Sequence, residues 1–160
     1  MAWRLPPAEL DAGKGNGNRA ALRQLVKRGP PPGVIALRGE EPIGWCAVAP
    51  RSAYRYLGVS RVLRPVDDAP VWSITCLFID RRFRRQGNSV QLLRAAAEFA
   101  RSQGARMVEG YPIEVKRGKR TADVFAWTGL AKSFLEAGFT EVARRSPTRP
   151  IMRLTLSGLP

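Results

Sequence analysis

The chain has no histidine and only two cysteines, Cys46 and Cys76, among its 160 residues. Without histidine, imidazole catalysis and most transition-metal chemistry fall away, and two separated cysteines make neither a disulfide scaffold nor a zinc site. A reducing, cytoplasmic setting is expected, with no metal. Long apolar runs are missing too: proline, glycine or charge interrupts each one, so no segment is expected to cross a bilayer. The opening residues, MAWRLPPAELDAGKG, lack the basic region and apolar stretch of a secretory signal. Acidic residues are scarce, 13 Asp and Glu against 27 Lys and Arg, for a net charge of +14. Such a field attracts nucleic acid, acidic membrane or polyphosphate without choosing among them. The arginines are spread along the chain, as at Arg4, Arg51, Arg94, Arg117 and Arg153, and a GC-rich coding background produces the same bias.

What remains is the composition of one folded domain spanning residues 1–160, with an apolar share of 44% that suits a buried core. The first 16 residues are expected to be irregular. GKGNGN at Gly13–Asn18 satisfies neither phosphate-loop pattern and reads as a lead-in, with Asn16 or Asn18 capping a helix over Asn18–Gly29. VIALRG and IGWCAVAP read as a hairpin turning at Gly39–Pro42, and RSAYRYL as a short helix. Val71–Asp80 is a nearly continuous apolar run, the pattern of a central strand. Val90, Leu93, Ala96, Ala97 and Ala100 then fall at helical spacing, and Gly104 ends the helix. ARMVEGYPI is a strand, so the strand–helix–strand order predicts a parallel pair with a right-handed crossover. A basic loop (Glu114–Phe125), a helix over Ala126–Gly138 and the strands FTEVAR and PIMRLTL close the chain.

Between the apolar strand and the long helix stands RRFRRQGNSVQLL, Arg81–Leu93. The first amides of a helix have no intrahelical acceptors and lie at the positive end of its dipole. Gly87 lets a ligand approach the backbone, and arginine offers forked donors to phosphate oxygens. A diphosphate fits such a place without a metal.

Arg84-Arg85-Gln86-Gly87-Asn88-Ser89 resembles the [QR]-x-x-G-x-[GA] signature of the GNAT superfamily of acyl-CoA-dependent N-acyltransferases, with Ser89 in place of Gly or Ala. SITCLFID before it and GLAKSFLEAGFTEVAR after it, with Gly138-Phe139 opening a strand, extend the likeness over Val34–Leu156. GWCAVAPR, SRVLRPVDDAPVW, VEGYP, FAWTG and RSPTRPIMRL are similar to an actinobacterial-type subgroup of that superfamily with no settled acceptor. That subgroup carries extra sequence before WRLP, so the N-terminus is expected to be shortened.

The resemblance implies an α/β fold with a mixed, mostly antiparallel central sheet, one parallel strand pair and flanking helices. It implies acetyl-CoA as acyl donor and co-substrate. Its pantetheine arm would pair with Leu77, Phe78 and Ile79, its pyrophosphate would rest on the amides of Gln86, Gly87, Asn88 and Ser89, and Arg84 and Arg85 would lie nearby. An amine of a small molecule or peptide would attack the thioester directly. Many relatives place a tyrosine acid in the late helix, where this chain has Phe134, beside the acyl donor; others use a strand glutamate where Ser73 stands. Tyr111 is the first candidate for the thiolate acid, with Glu109, Asp123 and Asp80 as candidate bases and Ser73 as a group that positions water. Strand-end hydrogen bonds and caps are the plainer use of each. Trp127 is the leading pocket-lining residue and Trp72 the second, against ordinary packing. Cys76 reads as a small core residue and Asp67-Asp68 as a turn.

The net charge disfavours polycationic acceptors, so a neutral or acidic amine is expected. An acyl-CoA sensor without turnover is the alternative, given Phe134, and a basic nucleic-acid module is the weaker one, since no nucleic-acid motif occurs. A monomer or homodimer with no specific nucleic-acid or membrane partner is expected.

Overall fold

The structure, a computed structural model, describes residues 1, 3–115 and 127–156. Its centre is β3 (Trp72–Ile79), the apolar run that the sequence marks as a buried strand. The hairpin β1 (Gly33–Arg38) and β2 (Glu41–Pro50) lies on one side; β4 (Met107–Gly110), β5 (Thr140–Arg144) and β6 (Pro150–Thr155) lie on the other. The sheet runs β1-β2-β3-β4-β6-β5, and every neighbouring pair is antiparallel except β3 with β4. The mixed sheet with one parallel pair is thus the architecture the sequence implies.

Helices occupy the two faces of the sheet. On one side α4 (Asn88–Ser102) buries Leu92, Leu93, Ala96, Ala97 and Ala100 against Ile43, Val48, Ile74, Leu77 and Ile79. Its alanine ridge lets helix and sheet approach closely, and Gly104, at φ 84°, takes the left-handed turn that ends it. The other side holds a smaller core of Tyr54, Leu57, Leu63, Tyr111 and Ile151, with Trp3 against it. Leu57 comes from α3 (Arg55–Val59), which follows a 3₁₀ turn at Arg51–Ala53.

Two expectations need correction. Residues 1–16 are not irregular: Pro7–Ala12 forms α1, with proline at its first position, where no amide is needed. α2 (Asn16–Arg28) begins two residues early, with Gly15 at φ 79° before it, and Asn18 donates back to the Leu10 carbonyl instead of capping. The late helix is also shorter than its pattern. α5 spans Ala131–Glu136, because Trp127–Leu130 is drawn into bonds with the sheet. Among the described residues, no helix is long and apolar enough to cross a membrane.

One irregularity positions everything that follows. Ala47 pairs with Cys76 but Val48 pairs with Ile74, so Thr75 is an extra residue, a β-bulge in β3. The bulge resets the alternation, and Leu77 and Ile79 join the core face that Ile74 occupies. β4 follows β3 only from Trp72–Ile74, opposite Val108–Gly110. Beyond Gly110 the two strands part. The fully buried ring of Phe134 packs on Gly110 where a Cβ would collide with it. Gly110→Ala should therefore destabilise the fold by about 1–3 kcal/mol, the usual penalty of overpacking. The shift in denaturation midpoint measures it, and a neutral result would contradict the close approach.

Candidate active site

Where β3 leaves β4, its backbone turns toward the gap. The Leu77 amide donates to the Trp127 carbonyl at 2.7 Å, and the Ile79 carbonyl accepts from Arg84 Nε at 2.9 Å. Phe78 faces the other way along the chain, paired with Trp45 of β2. Trp127–Leu130 lies in the gap, and its other bonds run to the chain after β4. Ile113 donates to the Gly129 carbonyl at 2.9 Å, and Ala131 donates to the Ile113 carbonyl at 2.9 Å. Gly129, at φ 88°, passes close over Phe134 and Leu77. Phe134 therefore lies beneath this segment, wholly buried, with its ring edge against Phe139 at 5.0 Å.

The turn after β3 is built by short-range bonds. Asp80 accepts from the Arg82 amide at 2.9 Å and caps the 3₁₀ turn Arg81–Phe83. The Arg82 guanidinium also pairs with Asp80 and Glu41. Hydrogen bonding to Arg82 holds the Asp80 carboxyl below its ordinary value, so the structure gives this candidate base the duty of a cap. Arg85 at φ 61° and Gly87 at φ 78° both take left-handed conformations, which coil the backbone before α4. Asn88 Nδ2 ties the coil to the Phe83 carbonyl at 2.7 Å. Among the described residues, nothing accepts from the amides of Gln86, Gly87, Asn88 and Ser89. Four donors without acceptors thus adjoin the positive end of a 15-residue helix, a cradle suited to a phosphate. Ser89, the departure from the signature, meets Ser133 Oγ at 3.2 Å and so links α4 to α5.

The three catalytic candidates from the sequence do meet. Tyr111 donates its hydroxyl proton to Glu109 Oε1 at 2.7 Å, and its oxygen lies 2.9 Å from Ser73 Oγ. What the sequence reading missed is the pair of arginines that hold them. Arg51 donates to Tyr111 at 2.6 Å and to Glu109 at 3.1 Å, while Arg153 Nε donates to Glu109 Oε2 at 2.7 Å. Arg153 continues through a forked pair to Asp67, whose carboxyl it holds below the ordinary range. Ser73, Glu109 and Tyr111 are each 0% exposed. Burial, reinforced by the Glu109 charge and opposed by Arg51, pushes the Tyr111 hydroxyl far above its usual value. A signal existed: Arg153 sits inside the otherwise apolar strand PIMRLT, and a charge in such a strand needs a buried partner.

The tryptophans separate. Trp72 stands at the start of β3, packed on Phe99 of α4 at 6.1 Å, beside a groove of about 480 Å³ lined by Pro50, Arg51, Gly104 and Arg106. It lines that groove and does not join Trp127. Trp127 instead meets Trp3 at 5.4 Å, and Trp3 also contacts Tyr56 at 5.5 Å and Tyr111 at 5.6 Å. Trp3 and Tyr56 come from a segment and a helix whose patterns carry no pocket signal. Arg149 reaches the same region through the Tyr111 carbonyl, at 3.0 Å, and Thr128 Oγ1, at 3.2 Å. Asp123 lies outside the described residues. Burial raises the Cys76 thiol pKa, as expected of a packed thiol and not of a nucleophile.

Glu109→Gln tests the buried network. Two guanidinium groups would lose their shared counter-charge, so a loss of about 3–5 kcal/mol is expected in equilibrium denaturation. Asp67→Asn, at a half-exposed carboxylate, should lose much less, and equal losses would contradict the assignment of Glu109 as the network's centre.

Comparison with known proteins agrees with this architecture. The model of the acetyltransferase (GNAT) family matches residues 3–112. A GNAT-family protein from Desulfovibrio desulfuricans superposes with a TM-score of 0.55 at 16% identity, over 94% of this chain and 83% of that one. A ribosomal-protein-alanine N-acetyltransferase from Brucella melitensis gives 0.55 at 16% identity, over 87% and 77%. A chain of the NatC complex bound to Gag peptide and CoA gives 0.55 at 14% identity, over 86% and 79%. No curated protein sequence matches. With a parting strand pair, an amide cradle at the helix that follows and a family model spanning most of its length, the chain belongs to the GNAT acetyltransferase family.

Proposed function

We propose that the chain moves an acetyl group from acetyl-CoA to a primary amine on a neutral or acidic small molecule or peptide. One observation carries this reading: the Leu77 amide points into the gap between β3 and the chain after β4, on the strand that feeds the four free amides of Gln86–Ser89. The bound donor supplies a thioester. This chain's residues would do the rest. Leu77 would polarise the thioester carbonyl once Trp127 releases its amide, and Ile79 would align the pantetheine arm with Phe78 behind it. Gln86, Gly87, Asn88 and Ser89 would hold the pyrophosphate, with Arg84 and Arg85 adding charge. The acceptor amine would attack directly, so no side chain need carry the acetyl group. The setting proposed is the cytoplasm, with the chain a monomer or homodimer and no specific nucleic-acid partner.

For the proton steps, Tyr111 is the first candidate of the sequence, with Ser73 and Glu109 beside it. Its raised pKa keeps it protonated, the right state for an acid, but its hydroxyl faces Glu109, Ser73 and Arg51 in a place without exposed surface. We therefore assign Tyr111, Ser73 and Glu109 to positioning, with water carrying the amine's proton. Phe134, buried under Gly129, would support the acyl end of the slot by shape alone.

Two measurements follow. Acetyl-CoA at about 100 times its Kd should raise the melting temperature by about 5–10 °C. Gly87→Glu, which puts a carboxylate in the amide cradle, should abolish that shift, while Gly87→Ala, uncharged and with open space for its Cβ but strained at φ 78°, should keep part of it. An absent shift in the unaltered chain would falsify the acyl-CoA reading, and a shift without turnover across an amine panel would favour a sensor. Tyr111→Phe should cost about 1–3 kcal/mol of stability and lower kcat less than about tenfold, against the loss of about 100-fold or more expected on removing a general acid.

A further inference from the structure

Arg149 differs from the arginines of the buried network. Arg51 and Arg153 each meet the carboxylate of Glu109. Arg149 is half-buried, and among the described residues it meets only neutral oxygens, the Tyr111 carbonyl and Thr128 Oγ1, both through Nη1. Its Nε and Nη2 are left to other acceptors. A guanidinium withdrawn from water without a counter-ion is costly, and burial works against the charge here, with the Tyr56 ring oxygen opposing that effect. Its location is equally specific. Thr128 follows Trp127, whose carbonyl sits on the Leu77 amide, and Tyr111 ends the strand that parts from β3. Beside it the Trp3 ring touches both Tyr56 and Trp127, of which Tyr56 is 38% and Trp127 37% exposed. The side of the gap away from the amide cradle thus offers a fixed cation with spare forked donors next to a partly open aromatic wall.

Resting on the acetyltransferase reading of the same cleft, we propose that Arg149 and the Trp3–Tyr56–Trp127 rings form the acceptor subsite, and that it takes an amine bearing a carboxylate and a flat apolar group, the chemistry of an aromatic amino acid. The guanidinium would grip the carboxylate through the donors Tyr111 and Thr128 leave unused. The rings would hold the flat group, and the amine would be presented toward Leu77. The excess of positive charge over the chain favours such an anion and repels polyamines.

The test needs no turnover. Phenylacetate and phenylacetamide, alike in shape and different in charge, are titrated against the full chain at about 0.15 M salt, where exposed charges are largely screened. Binding is read by tryptophan fluorescence. Phenylacetate should bind about tenfold tighter or more, the worth of a charge-assisted hydrogen bond. Arg149→Met should erase that difference and leave the acetyl-CoA melting shift unchanged. If Arg149→Met does not fold, Arg149→Lys, which keeps charge but not the fork, should still weaken phenylacetate and spare phenylacetamide. Equal affinities in the unaltered chain, or a preference that survives substitution of Arg149, would overturn the assignment. With the acetyl-CoA shift intact, such a result removes this subsite alone; loss of the shift in the unaltered chain removes the acetyltransferase reading instead.

Discussion

Glu109 has no exposed surface, yet it carries a carboxylate between two guanidinium groups, and the geometry of the cleft depends on that arrangement. In the sheet it stands opposite Ser73 of β3 on one side and Arg153 of β6 on the other. The rest of the network comes from the 3₁₀ turn after β2, the loop before β3 and the residue after β4. A buried ion pair adds little net stability over packed apolar groups, because desolvation offsets the attraction. What it penalises is error. A register slip of one residue in β4 would leave a charge buried without its partner. The network thus fixes β3, β4 and β6 one pair before the last they share, Ile74 with Gly110 and Gly110 with Met152, after which β3 and β4 part. The bulge at Thr75 turns Leu77 toward the opening at that same point.

The opening does not leave its donors idle. A buried amide without an acceptor costs about as much as a lost hydrogen bond. The chain meets that need itself, with the Trp127 carbonyl on the Leu77 amide and Arg84 on the Ile79 carbonyl. Any ligand that uses this edge must exchange one hydrogen bond for another, so its affinity has to come from elsewhere. Among the described residues, the amides of Gln86–Ser89 have no acceptor, which puts binding energy at the phosphate end and leaves the strand edge to align.

Much of this was legible in the chain because it is local. The strand Val71–Asp80, the signature Arg84–Ser89 and the helix after it are contiguous, and backbone geometry follows from short-range pattern: glycine where φ is positive, alanine where helix meets sheet. The network was only half legible. Tyr111 and Glu109 could be named because they sit at the end of a strand, and Ser73 because the resemblance places a strand glutamate there, but Arg51, Arg153 and Asp67 reach them across long sequence separations that no periodicity reports. The same limit divides the tryptophans. Trp72 and Trp127 look alike as apolar residues near the right elements, and only topology sends one to the start of β3 and brings Trp3, from a segment read as irregular, to the other.

Trp127 joins the two halves of the cleft in a single residue. Its carbonyl occupies the strand edge proposed for the acyl donor, and its ring forms part of the aromatic wall beside Arg149. Gly129 bonds to Ile113 on one side of the segment, and Trp3 packs on the ring on the other. Thr128, which accepts from Arg149, belongs to the same segment, whereas the Tyr111 carbonyl that accepts from the same nitrogen follows β4. One short segment thus borders both sides of the cleft, through its backbone on the donor side and through the Trp127 ring and Thr128 on the other.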